Sequence, residues 1–429
     1  MTEKVYVVDY ELLSPISFGK QNLFEALQSN QMGESLIEKF DTRGMPFKVG
    51  AEIKQELGHL LINENEWIIN ACRYDRKFEL LVACFLLAED RLQQICKNLA
   101  PHRGGVILGV GSDVIRLELL EKELQSLFNL ENDAYRELIA TQNNHQANIN
   151  TVWNPYDIHS IYIAEKLKLG AFQESILTAC TSSTQAIAFG FDKIKNDKSD
   201  LVVCGGTDSI INVLALASFG KLGVIPESDG SDLTSCMPFD VNRKGTLAGE
   251  AAGLTVLVSE SFARENNLTP IAEIISYGNT LDGYKITAPD PSGLAMQKAM
   301  NTALLNAKLT PKDIDYIQAH GTATRHNDEI ELKAIEAVFG EASPNVLVSS
   351  TKDRHGHAIA AAGIQEFNVL LNSMENDFIP ANTHFKNSIQ TPLNLVTENI
   401  HNHKIKYALT NNFAFGGINT VLLIRRMGE

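Results

Sequence analysis

Four segments of the chain carry side chains able to do covalent chemistry. In LTACTSST, Cys180 stands where a strand-like run turns into a helical pattern. A thiol at a helix N-terminus meets unpaired N–H groups and the positive end of the dipole, both of which favour the thiolate. Cys180 reads as a nucleophile or as a buried structural cysteine, and this segment alone leaves both open. In QAHGTATRHND, His320 ends the strand-like IDYIQAH and enters a Gly-Thr turn, where an imidazole projects into a cleft or sits satisfied in a loop. SSTKDRHGHAIAAAG sets Lys352, His355 and His357 just before a helix of small residues. Lys352 can hold a carboxylate or a histidine in place, or be a solvated surface lysine, and His355 is left outside the site. NNFAFGGINT is a Gly-Gly turn that can offer backbone N–H groups to a developing oxyanion, with Phe413 and Phe415 beside it, or an ordinary tight turn with core aromatics.

The elements around these segments alternate strand-length apolar runs with helical patterns, as in an α/β protein. The strand SILTAC, the helix TSSTQAIAFGFDKIK and the strands DLVVCGG and GLTVLVSE have counterparts in VLVSSTK, HAIAAAGIQEFNVLLNSM, KYALTNNFAFGG and TVLLIRR. This order predicts two similar halves, residues 1–260 with Cys180 and residues 261–429 with the two histidines. His357 then falls in the same strand-to-helix turn as Cys180.

The 429 residues carry a net charge of −15, which argues against nucleic-acid binding and means that an acidic partner needs a local basic patch. The cluster RYDRK, with Arg73, Arg76 and Lys77, is the candidate for that patch. An apolar fraction of 44% is ordinary for a globular enzyme. The longest apolar run, Leu80 to Ala88, is too short to cross a membrane and reads as a buried helix segment. The start of the chain shows no secretory pattern, and a cytoplasmic location is expected. Six cysteines, scattered without CxxC pairs, suggest neither a metal site nor a disulfide framework.

Together, in this order and spacing, the four segments resemble the β-ketoacyl synthases, the condensing enzymes of fatty acid and polyketide assembly. The resemblance covers nearly the whole chain. SPISFGKQNLFEAL is similar to the family's early loop and helix, and FDVNRKGTLAGEAAGLTVL to its stretch after the nucleophile, with Asp240, Arg243, Gly245, Gly249 and Glu250 in place. The resemblance implies the thiolase-like five-layered α-β-α-β-α fold, usually as a homodimer or a heterodimer with a related ketosynthase subunit. It implies that Cys180 carries an acyl chain as a thioester. His320 and His357 then stabilise the carbanion formed when a malonyl carrier thioester loses its carboxylate. Lys352 matches the lysine that organises the histidines, with Asp328 and Glu331 supporting the same network and loop. The N–H groups of Cys180 and Phe415 are the implied oxyanion hole, Phe415 the gate, and Thr287, Thr322 and Thr324 the lining of the phosphopantetheine arm. No cofactor or metal is implied, because that arm arrives on the acyl carrier protein.

The same resemblance separates the subfamilies. Thiolases need a second catalytic cysteine late in the chain, and none follows Cys236. Initiating synthases carry asparagine where this chain has His357, so an elongating enzyme is expected. A non-catalytic chain-length-factor-like partner of a second ketosynthase is the alternative, and Cys180 argues against it. Lys285, Ala360, Ala414 and Ile418 depart from the usual fatty acid pattern around the acyl pocket, which widens the expectation to specialised polyketide or aryl-polyene assembly.

Overall fold

The computed structural model describes residues 3–112, 156–231, 233 and 236–428. Strands β1 (Val5–Ser14), β2 (Gly104–Val110), β3 (Phe172–Ile176), β4 (Leu201–Ser209) and β5 (Glu250–Ser259) belong to the first half of the chain. Strands β6 (Ala272–Leu281), β7 (Tyr316–Gln318), β8 (Leu347–Ser349), β9 (Tyr407–Phe413) and β10 (Ile418–Arg426) belong to the second. In β2 and β4 every residue is buried, as continuous apolar runs require when both faces of a sheet are covered.

The expected internal repeat is present in the order of these strands. The first half runs β1-β5-β4-β2-β3 and the second β6-β10-β9-β7-β8, so each strand matches the one five places later. The directions match too: β2 is parallel to β3 and β4, as β7 is parallel to β8 and β9. Antiparallel pairing of β1 with β6 joins the halves.

Five layers result. Helices α1 (Arg76–Cys96) and α2 (Ile158–Leu167) cover the outside of the first sheet, and α4 (Leu294–Ala307) and α5 (Arg325–Phe339) the outside of the second. Between the sheets lie α3 (Ser182–Lys195) and α6 (Ala362–Glu375), within a core shared by both halves. Helix α1 starts at Asp75, whose carboxylate accepts from the Lys77 and Phe78 N–H groups, and it contains the Leu80–Ala88 run. Among the described residues no helix is long and apolar enough to cross a membrane.

Small residues let the middle layer close. A Cβ added at Gly363 in α6 would lie 2.0 Å from Thr184 Oγ1 and 2.8 Å from the Thr184 N atom in α3. Gly363→Ala is therefore expected to lower the unfolding free energy by roughly 1–3 kcal/mol through overpacking, despite the roughly 1 kcal/mol of helix propensity gained. Denaturant unfolding checks this, and equal or higher stability would contradict it.

Candidate active site

Three turns, each with a non-glycine residue at positive φ, deliver the reactive side chains: Ala179 at 49°, Ala323 at 61° and Ile359 at 33°. Such backbone costs energy and persists only where surrounding packing enforces it. Strand β3 stops at Ile176, four residues earlier than the sequence suggests, and Cys180 sits on a tight helical turn, Ala179–Thr181, that leads into α3. The second half repeats this turn at Ile359–Ala361 before α6. By this register Cys180 corresponds to Ala360, and His357 lies three residues before that point. The turns match as expected, but His357 approaches the sulfur from the side. Its N–H donates to the Leu247 carbonyl, so the segment after the nucleophile anchors it. Gly249 allows this approach, because a Cβ there would meet the His355 carbonyl and the Gly356 backbone at about 3 Å.

Cys180, His320 and His357 converge. Cys180 Sγ lies 3.1 Å from His357 Nε2, and one donor atom from each of the three residues falls within a 4.8 Å cluster. The two imidazoles meet edge to face at 5.4 Å. Lys352, buried, approaches His320 Nδ1 at 3.2 Å and also hydrogen-bonds the His320 carbonyl oxygen and Glu366. Burial and the Lys352 charge hold both histidines well below the ordinary imidazole range, so the site offers neutral rings. Burial pushes the Cys180 thiol up to about 12, against the pull of Lys352 and the hydrogen bond from the Phe415 N–H. This reverses the thiolate expected from the helix N-terminus: desolvation outweighs the dipole, and the resting group is a thiol beside a neutral imidazole.

Three buried carboxyl groups, Asp328, Glu331 and Glu366, support the site. Glu331 accepts the His320 and Gly321 N–H groups at 2.8 Å each, which fixes the turn, and burial pushes its carboxyl up to about 7. Asp328 accepts the Phe239 N–H at 2.8 Å and a backbone N–H from Thr322, so it supports the loop that follows His320. The carboxylate that meets Lys352 is Glu366 in α6, which the sequence does not single out. An acid within a helix of otherwise uncharged residues, IQEFNVLL, is the available signal. Asn412, also not foreseen, bonds Glu366 and faces His320.

A cavity of about 380 Å³ opens onto Cys180, His320 and His357. Thr287, Thr322 and Thr324 line it, as do the apolar Ile210, Phe219, Ile225 and Ile359 and the aromatic Phe413 and Phe415. The phosphopantetheine-lining threonines and the gate aromatics named from the sequence therefore share one space with the nucleophile. The RYDRK patch does not form. Lys77 is buried, and Arg76 is held by Glu250 and Glu79, so of the three only Arg73 is exposed. The exposed cations lining the cavity are instead Lys244 and Arg325.

Residues 2–263 match the family model described as "Beta-ketoacyl synthase, N-terminal domain", and residues 271–386 match the corresponding C-terminal domain. The 3-oxoacyl-[acyl-carrier-protein] synthase 2 of Staphylococcus aureus strain COL is 29% identical over 429 residues, covering 99% of this chain and 98% of the relative. Among solved structures, the ishigamide ketosynthase/chain length factor superposes with a TM-score of 0.83 at 24% identity, covering 100% of both chains. A β-ketoacyl synthase from Burkholderia phymatum STM815 gives 0.81 at 23% identity, also over 100% of both.

Iodoacetamide is expected to alkylate Cys180 ahead of Cys72, Cys84, Cys204 and Cys236, which are buried and do not line the cavity. Because the thiol titrates high, the rate should climb about tenfold per pH unit between roughly pH 7 and 9. Lys352→Met should slow it roughly 3- to 10-fold at fixed pH, since the ammonium favours the thiolate. Mass spectrometry of peptides gives the rates, and a pH-independent rate would contradict the assignment.

Proposed function

The chain belongs to the β-ketoacyl synthase family, and from that membership we propose that it is an elongating 3-oxoacyl-[acyl-carrier-protein] synthase with Cys180 as the acyl carrier. The observation that carries this reading is Cys180 Sγ at 3.1 Å from His357 Nε2, with His320 in the same cluster at the foot of one cavity. In the first half-reaction the Cys180 sulfur attacks an acyl carrier thioester. Its proton passes by way of His357 to the departing phosphopantetheine thiol, and the chain is left on Cys180. The Phe415 N–H, already bonded to the sulfur, and the Cys180 N–H serve the tetrahedral oxyanion.

In the second half-reaction malonyl carrier thioester enters. Its carboxylate leaves as carbon dioxide, and the electron pair of the broken C–C bond forms an enolate whose oxygen is held by His320 and His357. Neutral imidazoles suit this step: each can present an N–H to charge that develops mainly in the transition state. The enolate carbon attacks the Cys180 thioester, and the sulfur departs as the leaving group of the β-ketoacyl product.

Thr287, Thr322 and Thr324 are read as the lining of the arm, and the apolar wall from Ile210 to Ile359 as the acyl pocket. The reading needs no metal and no cofactor of the chain's own, and it treats residues 1–260 and 261–429 as the two functional halves, in the cytoplasm. The name of the ishigamide ketosynthase/chain length factor supports a heterodimer with a related subunit as an alternative to a homodimer, and widens the pathway to specialised polyketides. A non-catalytic partner role would not require the Cys180–His357 contact or the Lys352 network.

Intact-mass measurement after incubation with a panel of acyl carrier thioesters is expected to show one acyl adduct, absent in Cys180→Ala. If no thioester acylates the protein, alone or with a co-purified subunit, the reading fails. Lys244→Glu and Arg325→Glu are each expected to raise the KM for acyl carrier protein roughly 3- to 10-fold, more at low salt. Unchanged KM values would place docking elsewhere.

A further inference from the structure

Just before its last residue, Phe413, strand β9 carries two consecutive asparagines whose side chains point to opposite faces and reach two different carboxylates. Asn411 donates to Glu331, which fixes the backbone of His320, at 3.4 Å. Asn412, fully buried, donates to Glu366 Oε2 at 2.6 Å and faces His320 Nδ1 with its other N–H at 3.4 Å. Its carbonyl accepts the Thr184 hydroxyl at 2.5 Å. Reversing the amide would set its oxygen against a carboxylate, so these partners define its orientation. Thr184 lies in the first turn of α3, the helix that Cys180 precedes, and Glu366 lies in α6. One amide therefore ties the nucleophile helix, the carboxylate under Lys352 and the imidazole of His320 together.

We propose that Asn412 is a positioning residue for the carbanion-forming half-reaction, holding Glu366 under Lys352 and fixing the His320 tautomer. Two donors, the Lys352 ammonium and the Asn412 amide, face His320 Nδ1. That nitrogen must then be the acceptor, the proton sits on Nε2, and Nε2 is the ring nitrogen left for the cavity. An N–H on Nε2 is the group an enolate oxygen requires. Glu366 has no spare freedom: one oxygen meets Lys352 and the other meets Asn412. Burial pushes its carboxyl up to about 7, with Lys352 and Asn412 opposing, so loss of the amide bond also favours loss of the charge that holds Lys352. This inference rests on the proposed condensation.

Two variants separate positioning from simple support. Asn412→Leu keeps the approximate volume and removes all three contacts. Asn412→Asp places a carboxylate opposite Glu366, Lys352 and His320, with neutral Thr184 as its remaining partner. When protonated, the introduced acid donates to Glu366 as the amide does; when ionised, it repels Glu366 and draws the His320 proton to Nδ1. Decarboxylation of malonyl-acyl carrier protein is expected to fall roughly 10- to 100-fold in Asn412→Leu at every pH. In Asn412→Asp it is expected to fall as pH rises between about 6 and 9, where the wild-type rate does not. Alkylation of Cys180 by iodoacetamide should stay within about threefold of wild type in both. Spectra of protein labelled with ¹⁵N-histidine, with His320 assigned by substitution, read the tautomer without turnover: Nε2–H in the wild type, a shift toward Nδ1–H in Asn412→Asp at high pH. Wild-type rates, pH profile and tautomer in both variants would overturn the proposal, as would a parallel loss of alkylation and melting temperature. Failure of the wild type to release carbon dioxide, with the tautomer shift intact, would instead sink the condensation reading.

Discussion

A buried ammonium organises this site. Lys352 sits where solvation is lost, and an unpaired cation there would cost several kcal/mol. It persists because Glu366, the His320 carbonyl and His320 Nδ1 take its three protons. The arrangement has consequences in both directions. Burial, joined by its field, keeps both imidazoles neutral, and the field draws the Cys180 thiol down from a value that burial alone would set higher. Its need for partners also places a carboxylate, Glu366, inside α6, a helix buried almost along its whole length.

The site draws on both halves of the fold. Cys180 and Thr184 come from the first half, His320, Lys352, His357, Glu366 and Asn412 from the second, and the two middle helices must pack closely enough for them to meet. Matching strand orders bring equivalent strand-to-helix turns face to face, and Gly363 removes the side chain that would keep α6 from Thr184. Ala179 and Ile359, both at positive φ, lie at these turns, where the surrounding packing enforces a strained backbone.

Much of this was legible in the chain. The buried strands read as apolar runs, and the repeat of elements in the sequence has a counterpart in the repeated strand order of the sheet. The four reactive segments read by residue type, and Cys180, His320, Lys352 and His357 do lie together. What escaped was non-local. Glu366 looks like any helical glutamate until burial and Lys352 are known, and Asn412 looks like part of a turn. Arg76 and Lys77 looked like solvated charges in RYDRK, yet the tertiary fold buries Lys77 and pairs Arg76 with Glu250, 174 residues away. The thiolate was expected from a local rule about helix ends, and desolvation, a property of the whole core, overrode it.

Of the residues that depart from the usual pattern around the gate, Ala414 lines the cavity that opens onto Cys180. The most direct test is a single turnover. Protein carrying an acyl chain on Cys180 is mixed with malonyl-acyl carrier protein labelled with ¹³C in the free carboxylate. Condensation predicts that all of the label leaves as carbon dioxide while an unlabelled β-ketoacyl carrier forms at the same rate. Label retained in the product, or release of the chain as free acid, would contradict it.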